Sequence, residues 1–140
     1  MTFLIHFYYG NRLEVFQAGL GVIIRGLGHS RKARIYLIND SFPWVDELEQ
    51  KSELPLQIIA RDATKNLLNE VQKELRELDG EICLLANFDL LFDSWLEIED
   101  FLSLAKEINK TNEVIITCEY KYDLLEDLGD YVSSFESQEL

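Results

Sequence analysis

The sequence predicts an α/β domain of three layers, with helices on both faces of a mainly parallel sheet of five or six strands. Three observations support this fold class. Short runs rich in β-branched residues alternate with helical patterns along the chain. Two of these runs, residues 3–8 and 82–86, are almost continuously apolar, which is typical of central strands buried on both faces. Such alternation indicates right-handed βαβ crossovers and therefore a parallel sheet.

The first half of the chain contains three predicted strands, at residues 3–9, 33–38 and 56–60. A glycine turn and a helix follow the first strand, and a short helix from about Trp44 follows the second. Asp62 comes after the third strand, where its side chain can cap another helix. We expect the first helix to bury five apolar residues at helical spacing: Leu13, Phe16, Leu20, Ile24 and Leu27. The helix after Asp62 is expected to bury Leu67, Leu68, Val71, Leu75 and Leu78.

The second half contains two more predicted inner strands and one edge strand, at residues 82–86, 114–118 and 131–135. Asp93 or Ser94 is expected to cap the helix between the first two of these strands. The apolar residues of that helix are predicted to face the core: Trp95, Ile98, Phe101, Leu102, Ala105 and Ile108.

A single domain is expected over residues 1–136, with a tail at 137–140, because the chain contains no linker or repeat. Its 140 residues are 47% apolar, which is enough for one core. The N-terminus lacks the basic flank and cleavage site of a signal peptide, and the apolar runs are too short to span a bilayer. We therefore expect a cytoplasmic protein without a membrane partner. Cys83 and Cys118 lie in apolar runs and are expected to be buried free thiols.

The chain is strongly acidic, with a formal net charge of −13 at pH 7. The charge is uneven, because the residues from Glu81 onward include 15 acids and only three bases. A solvated acidic surface explains this composition. Nucleic-acid binding requires a basic footprint, which this sequence lacks, so no nucleic-acid partner is expected. The bases of the first quarter are Arg12, Arg25, Arg31, Lys32 and Arg34.

The first strand, the turn at Gly10 and the first helix together form the frame in which P-loop proteins hold a nucleotide. A phosphate-binding loop needs glycines, a lysine that reaches the outer phosphates and a Ser or Thr hydroxyl for magnesium. Here the lysine position is Val15, the hydroxyl position is Phe16, and Glu14 adds a negative charge. The expected fold is therefore P-loop-NTPase-like, a Rossmann-like domain, without the residues that bind phosphate.

Several segments give the chain a more specific likeness. Residues 7–11 and 18–30 match the first strand and first helix of the P-loop ATP:corrinoid adenosyltransferases, a family that transfers the adenosyl group of ATP to cob(I)alamin. Residues 81–89 are similar to the Walker B strand of that family, Asp-Leu-Val-Val-Leu-Asp-Glu-Ile-Asn. Residues 113–119 and 129–133 resemble its Glu-Val-Val-Leu-Thr-Gly-Arg and Ala-Asp-Leu-Val-Thr segments. The chain thus resembles this family over most of its length, except between residues 40 and 55.

The departures from the family pattern fall on the residues that bind phosphate and magnesium. Ala86 and Asn87 replace the Asp-Glu pair of the Walker B strand, and Cys118 and Glu119 replace a Gly-Arg pair. Neither a metal site nor a bound cofactor is therefore expected, and the resemblance identifies no catalytic residue in this chain. The degenerate positions of the phosphate loop are Gly10, Asn11, Arg12, Glu14, Val15 and Phe16.

The resemblance implies a non-catalytic homologue of the corrinoid adenosyltransferases that serves as a binding, regulatory or assembly module. An alternative is an ATP:cob(I)alamin adenosyltransferase with an aberrant ATP site. A third reading is an unrelated enzyme that uses Asp40, Asp89 and Glu119 as acid or base groups. No residue pattern supports retention of a corrinoid ligand.

The resemblance also implies a homodimer, and a different protein partner is the other possibility. Phe42 and Trp44 follow the second strand and are candidate interface anchors, because aromatic residues dominate the energetics of interfaces. Cover of a neighbouring helix is the competing interpretation of Trp44. His6 is interpreted as a hydrogen-bonded core histidine and not as a ligand or a catalyst.

Overall fold

The computed structural model describes residues 3–40, 42–51 and 55–135, with only the backbone described at 43, 46, 48 and 51. The expected tail at 137–140 lies outside these residues. Six strands alternate with five α-helices and one short 3₁₀ turn. In chain order the elements are β1 (Ile5–Gly10), α1 (Arg12–Gly28), β2 (Lys32–Ile38), α2 (Pro43–Lys51), β3 (Leu56–Arg61), α3 (Leu67–Leu75), β4 (Glu81–Ala86), the 3₁₀ turn (Phe88–Leu91), α4 (Trp95–Ile108), β5 (Glu113–Cys118), α5 (Asp123–Leu128) and β6 (Tyr131–Phe135).

The strands form one sheet in the order β3-β2-β4-β5-β1-β6, and every neighbouring pair is parallel. The predicted fold class is therefore confirmed, with six strands. Both strands expected to be central, β1 and β4, have a strand on each side. The side chains of β4 from Ile82 to Ala86 are buried on both faces, whereas β1 is buried from Ile5 to Phe7 and only partly buried from Tyr8 to Gly10.

Separate hydrophobic cores lie on the two faces of the sheet. One core joins α1 and α2 to the sheet through residues such as Phe16, Ile23 and Val45; we call this side the α1 face. The other core joins α3, α4 and α5 to the opposite face through residues such as Val71 and Phe101. Because α1 connects β1 to β2, it crosses β5 and β4. It therefore leaves β1 and β6 partly uncovered on the α1 face.

Two of the five residues predicted on the buried side of α1 are wrongly placed. Leu13 and Ile24 are 43% and 51% exposed. The cause is close packing through glycine: a Cβ atom added at Gly19 would lie 2.7 Å from Leu84 Cδ1, and one at Gly26 would lie 3.0 Å from a side chain of β4. The helix therefore approaches the sheet along its glycine side, and this turns Leu13 and Ile24 away from the core.

The predicted cap of α3 is wrong, whereas a predicted cap of α4 is confirmed. Asp62 does not cap α3, which begins at Leu67 after Asn66 and has no side-chain cap. Of the two residues predicted to cap α4, Asp93 and Ser94, the structure confirms Ser94. Its Oγ accepts a hydrogen bond from the backbone N–H of Glu97. Trp95 was expected to face the core but is 56% exposed, because the buried side of α4 begins one turn later.

Cys83 and Cys118 are buried free thiols, as predicted. Burial in the sheet raises the pKa of both thiols, because a thiolate would lose its hydration there. Both side chains therefore remain neutral packing groups. In the described part of the chain, no helix is long and apolar enough to cross a bilayer.

Candidate functional site

The carboxyl edge of the parallel sheet is where an α/β fold normally binds its ligand. The structure brings several of the polar residues singled out in the sequence together at this edge. Asn87 Nδ2 lies 2.7 Å from Asp40 Oδ2, and Arg12 Nη1 lies 3.9 Å from Asp40 Oδ1. The backbone N–H of Glu119 donates to Asp89 Oδ2 at 3.3 Å.

The turn between β1 and α1 is much shorter than a phosphate-binding loop. The helix begins at Arg12, so Asn11 alone separates it from Gly10, the last residue of β1. Asn11 Oδ1 accepts hydrogen bonds from the backbone N–H groups of Leu13 at 3.1 Å and Glu14 at 3.2 Å. These are the N–H groups that a phosphate would bind at a helix N-terminus. In this chain the Asn11 amide oxygen occupies that position.

The end of β6 closes the other side of the same turn. Gly10 has φ +129°, a conformation that favours glycine. A Cβ atom at Gly10 would lie 1.9 Å from the Phe135 carbonyl oxygen. The N–H of Asn11 donates to that oxygen at 2.7 Å. The backbone of β6 thus packs directly against the turn and accepts a hydrogen bond from one of its N–H groups.

Val15 and Phe16 stand where a phosphate loop would have its lysine and its hydroxyl residue, and both side chains are buried. Val15 and Phe16 are 0% and 1% exposed. Phe16 packs in the core of the α1 face, with its ring centroid 5.2 Å from that of Phe42 and 5.9 Å from that of Trp44. A lysine or threonine placed there would point into packed side chains and could not reach a ligand at the carboxyl edge.

Asn87, at the position compared above with the Walker B pair, makes structural hydrogen bonds. Asn87 follows β4 in the left-handed conformation, with φ +60°, and is 3% exposed. Its Nδ2 donates to the Ile38 carbonyl at 2.9 Å and to Asp40 Oδ2, while its backbone N–H donates to Thr117 Oγ1 at 3.0 Å. One side chain therefore joins the end of β4 to the end of β2, and its backbone joins it to β5. Ala86, beside it, is fully buried.

Asp89 at this edge has a pKa above its ordinary value. Burial is the main cause, and the charge of Glu119 also raises the pKa. Hydrogen bonds from the backbone N–H groups of Glu119 and of Asp89 itself, together with the charge of Arg12, lower it by less. Acid or base catalysis would need a partner group. Among the described residues, none of Asp40, Asp89 and Glu119 bonds to a Ser, Cys, His or Tyr side chain. No group of three or more His, Cys, Asp or Glu side chains in those ranges could hold a metal ion.

A second concave surface, which the sequence did not indicate, lies on the α1 face of β1 and β6. This groove has a volume of about 1020 Å³ and reaches from the amino edge of the sheet to Ser133. His6 lies in its wall and is a buried, hydrogen-bonded histidine, as expected: its Nε2 lies 2.9 Å from Glu113 Oε2. Tyr8 Oη is 3.2 Å from His6 Nδ1, and Arg31 Nη1 donates to Glu113 Oε1 at 3.1 Å.

Alternation within the two strands is the signal that could have revealed this groove. His6 and Tyr8 on β1 pair with Tyr131 and Ser133 on β6, and all four line the groove. These four alternating residues are polar or amphipathic, a pattern typical of a sheet face without full helix cover. The identity of the neighbouring strand, however, is not visible in the sequence.

The candidate interface residues form an aromatic cluster with Phe16. The Phe42 and Trp44 rings stack with centroids 5.7 Å apart, and Phe42 is partly buried. Trp44 is 41% exposed. It therefore covers the core, as the competing interpretation holds, and also presents part of its ring to solvent.

Comparison with known proteins adds no relative. A scan against models of protein families finds no match for this chain, and a search of curated proteins returns no similar sequence. The likeness to the corrinoid adenosyltransferases therefore rests on the residue patterns of the chain itself.

Proposed function

We propose that this protein is a non-catalytic homologue of the P-loop corrinoid adenosyltransferases that acts as a binding, regulatory or assembly module. The observation that carries this proposal is the start of α1. Asn11 supplies the acceptor that a phosphate would supply, with its Oδ1 bonded to the N–H groups of Leu13 and Glu14. The fold thus keeps the frame of a nucleotide site while the chain fills the phosphate position.

Charge at the carboxyl edge supports the same conclusion. Glu14, Asp40, Asp89 and Glu119 stand at or near this edge, and Arg12 is the cation paired with one of them. Like charges about 4 Å apart repel by about 1 kcal/mol even in water, and a triphosphate would meet several such pairs. Val15 stands at the position of the phosphate-loop lysine, so no lysine of this loop offsets the repulsion and nucleotide binding is disfavoured.

Binding through the surface is the function that remains for such a fold. The cluster of Phe16, Phe42 and Trp44 offers an exposed aromatic edge on a rigid base, which is the chemistry of an interface anchor. A second copy of this chain is the first partner to test, because the resemblance implies a homodimer. Nucleic acid and membrane surfaces are poor candidates for a chain with a net charge of −13.

Titration calorimetry with magnesium and ATP tests the loss of the nucleotide site. We expect no heat of binding at millimolar ATP, and no adenosylation of cob(I)alamin by the purified protein. An active adenosyltransferase run alongside controls for the reduced corrinoid. Micromolar affinity for ATP, or adenosylation that boiling abolishes, would overturn the proposal and favour the enzyme.

Sedimentation velocity tests the assembly role. We expect concentration-dependent dimers that Trp44→Ala weakens without changing the unfolding midpoint by more than a few degrees. Trp95→Ala is the matched control, because Trp95 is exposed in a different part of the molecule and should leave association unchanged. A wild-type protein that stays monomeric at high concentration, and retains nothing from a cell extract, would remove the support for this role.

A further inference from the structure

The groove over β1 and β6 has the dimensions and walls of a small-molecule site. Its volume of about 1020 Å³ is at the upper end of the range of about 300–1,000 Å³ that is usual for ligand pockets. Its walls are mainly apolar or aromatic, and Gly26 on the helix wall packs closely against Ile82 of β4. The apolar and aromatic lining residues are Phe3, Leu4, Tyr8, Val22, Ile82 and Tyr131.

The ionisable residues of the groove are mostly cationic or basic, in contrast to the rest of the chain. Arg25, Arg31, His6 and His29 line it, and Glu113 is the one carboxylate among the described residues of its lining. Glu113 already engages two of these partners, because Oε2 bonds to His6 and Oε1 to Arg31. In a chain with a net charge of −13, this groove is therefore a local excess of positive charge.

Some of its donors have no acceptor within the described residues. Arg31 Nη2 is buried and lacks a hydrogen-bond partner there. Arg25 has neither an ion pair nor a side-chain hydrogen bond in the same part of the chain, and it lies near Tyr8. Buried donors normally find partners, and a guanidinium matches the two oxygens of a carboxylate. The groove thus presents unmet donors beside apolar walls.

We propose that this groove binds a small amphipathic anion, a carboxylate on an apolar body. The carboxylate accepts hydrogen bonds from Arg25 and Arg31, and the body lies against Val22, Ile82 and Tyr131. Nothing in this inference depends on the loss of the nucleotide site, because the groove lies away from the turn at Gly10. A single negative charge suits the site, because Glu113 already offsets part of the charge of Arg31 and the remaining walls are apolar.

Titration calorimetry on the whole chain tests the proposal with two pairs of probes. The pair 2-naphthoate and 2-naphthamide tests an aromatic body, and the pair octanoate and octanamide tests an alkyl body. Within each pair the shape is nearly the same and only the charge differs. We expect at least one carboxylate to bind, and its amide to bind at least tenfold more weakly, since a charge-assisted hydrogen bond is lost.

Three variants locate the binding. Arg25→Gln should weaken carboxylate binding about tenfold, and Arg25 is exposed and unpaired in the described ranges, so the fold should tolerate this change. Arg61→Gln, at the end of β3 on the far side of the sheet, should have no effect. Ser133→Trp should fill the groove and abolish binding. Amide shifts of Gly26 and Ser133 in the wild-type protein should follow the titration.

Several results would overturn the proposal. Absence of binding by both carboxylates at millimolar concentration would do so, as would equal affinity for a carboxylate and its amide. Equal losses of carboxylate affinity in Arg25→Gln and Arg61→Gln would show that the anion responds to the net charge of the protein and not to a site at Arg25. A wild-type dimer that Ser133→Trp converts to a monomer would show that a second copy of the chain, and not a small anion, occupies the groove.

Discussion

The carboxyl edge and the groove both involve β1, yet their polar groups are used in opposite ways. At the carboxyl edge, polar side chains bond to the chain's own backbone, as Asn11 does to Leu13 and Asn87 does to Ile38. In the groove, His6, Tyr8 and Glu113 bond to one another, but Arg25 is exposed and has no side-chain hydrogen bond in the described residues. A polar site whose groups are already satisfied stabilises the fold, whereas an exposed guanidinium beside an apolar wall is available to a ligand.

Val15→Lys is the substitution with the largest expected effect. It introduces the residue that a phosphate loop needs, but at a position that is fully buried. Burial of an unpaired ammonium should destabilise the fold by about 4 kcal/mol or more and should not create ATP binding. Urea unfolding measures this loss. Leu13→Lys on the exposed side of the same helix is the control and should change stability by less than about 0.5 kcal/mol. A stable Val15→Lys protein that binds ATP would show that the edge is still a site.

Asn87→Asp should have the next largest effect. The change removes the donor to the Ile38 carbonyl and places a second carboxylate 2.7 Å from the present position of Asp40 Oδ2. We expect a loss of about 2–4 kcal/mol, measured as a shift of the urea midpoint. Asn39→Asp is a matched control, because Asn39 also has φ +60°. Its Oδ1 accepts a hydrogen bond from the N–H of Ala63, and a carboxylate oxygen can accept the same bond. Equal losses in both variants would contradict a specific role for the Asn87 amide donors.

Asn11→Ala tests the cap that replaces the phosphate. Loss of the acceptor for Leu13 and Glu14 should lower stability by about 1 kcal/mol. Asn66→Ala is the control, since Asn66 precedes α3 without a side-chain cap bond. Inorganic phosphate should restore none of the lost stability, because the edge around the turn is acidic. Stabilisation of Asn11→Ala by phosphate at millimolar concentration would show that the anion site can be reopened.

The smallest expected effect concerns Asp89 and is seen as a pH dependence. Burial raises its pKa above the ordinary value of about 3.9, so the folded protein holds this proton more tightly than the unfolded chain does. Its contribution to stability is full at pH values below the unfolded pKa and is lost as the pH rises through the folded pKa. Asp89→Asn should therefore be slightly stabilising at neutral pH, and this gain should shrink as the pH falls. A difference in urea midpoint that is independent of pH would contradict this assignment.

The strands were predictable because each is a short run rich in apolar or β-branched residues, and the inner strands β2, β4 and β5 are largely buried. The run at 82–86 became β4 with one added residue, and the edge strand at 131–135 was placed correctly. The helix faces were less predictable. Leu13, Ile24 and Trp95 follow helical spacing with buried residues, but the contact of Gly19 with Leu84 decides which side of α1 approaches the sheet. Such a contact depends on tertiary packing and leaves little trace in periodicity.

The two polar regions also differed in how far the sequence revealed them. Residues at the ends of parallel strands must meet at one edge, so the grouping of Asp40, Asn87 and Asp89 followed from the expected sheet. The groove depends on strand order, which places β6 beside β1 while α1 crosses in the other direction. The partner of His6, Glu113, is 107 residues away along the chain. No local pattern connects these positions.

The contact between Gly10 and Phe135 has a consequence for the evolution of this fold. A phosphate loop that has lost only its lysine can regain it by a single substitution. Here the turn consists of Asn11 alone, and the Phe135 carbonyl oxygen lies where a larger residue at Gly10 would place its Cβ atom. Nucleotide binding at this turn would require an insertion between β1 and α1 together with a displacement of the end of β6. Neither change is useful without the other, so no single substitution can open this turn to a phosphate.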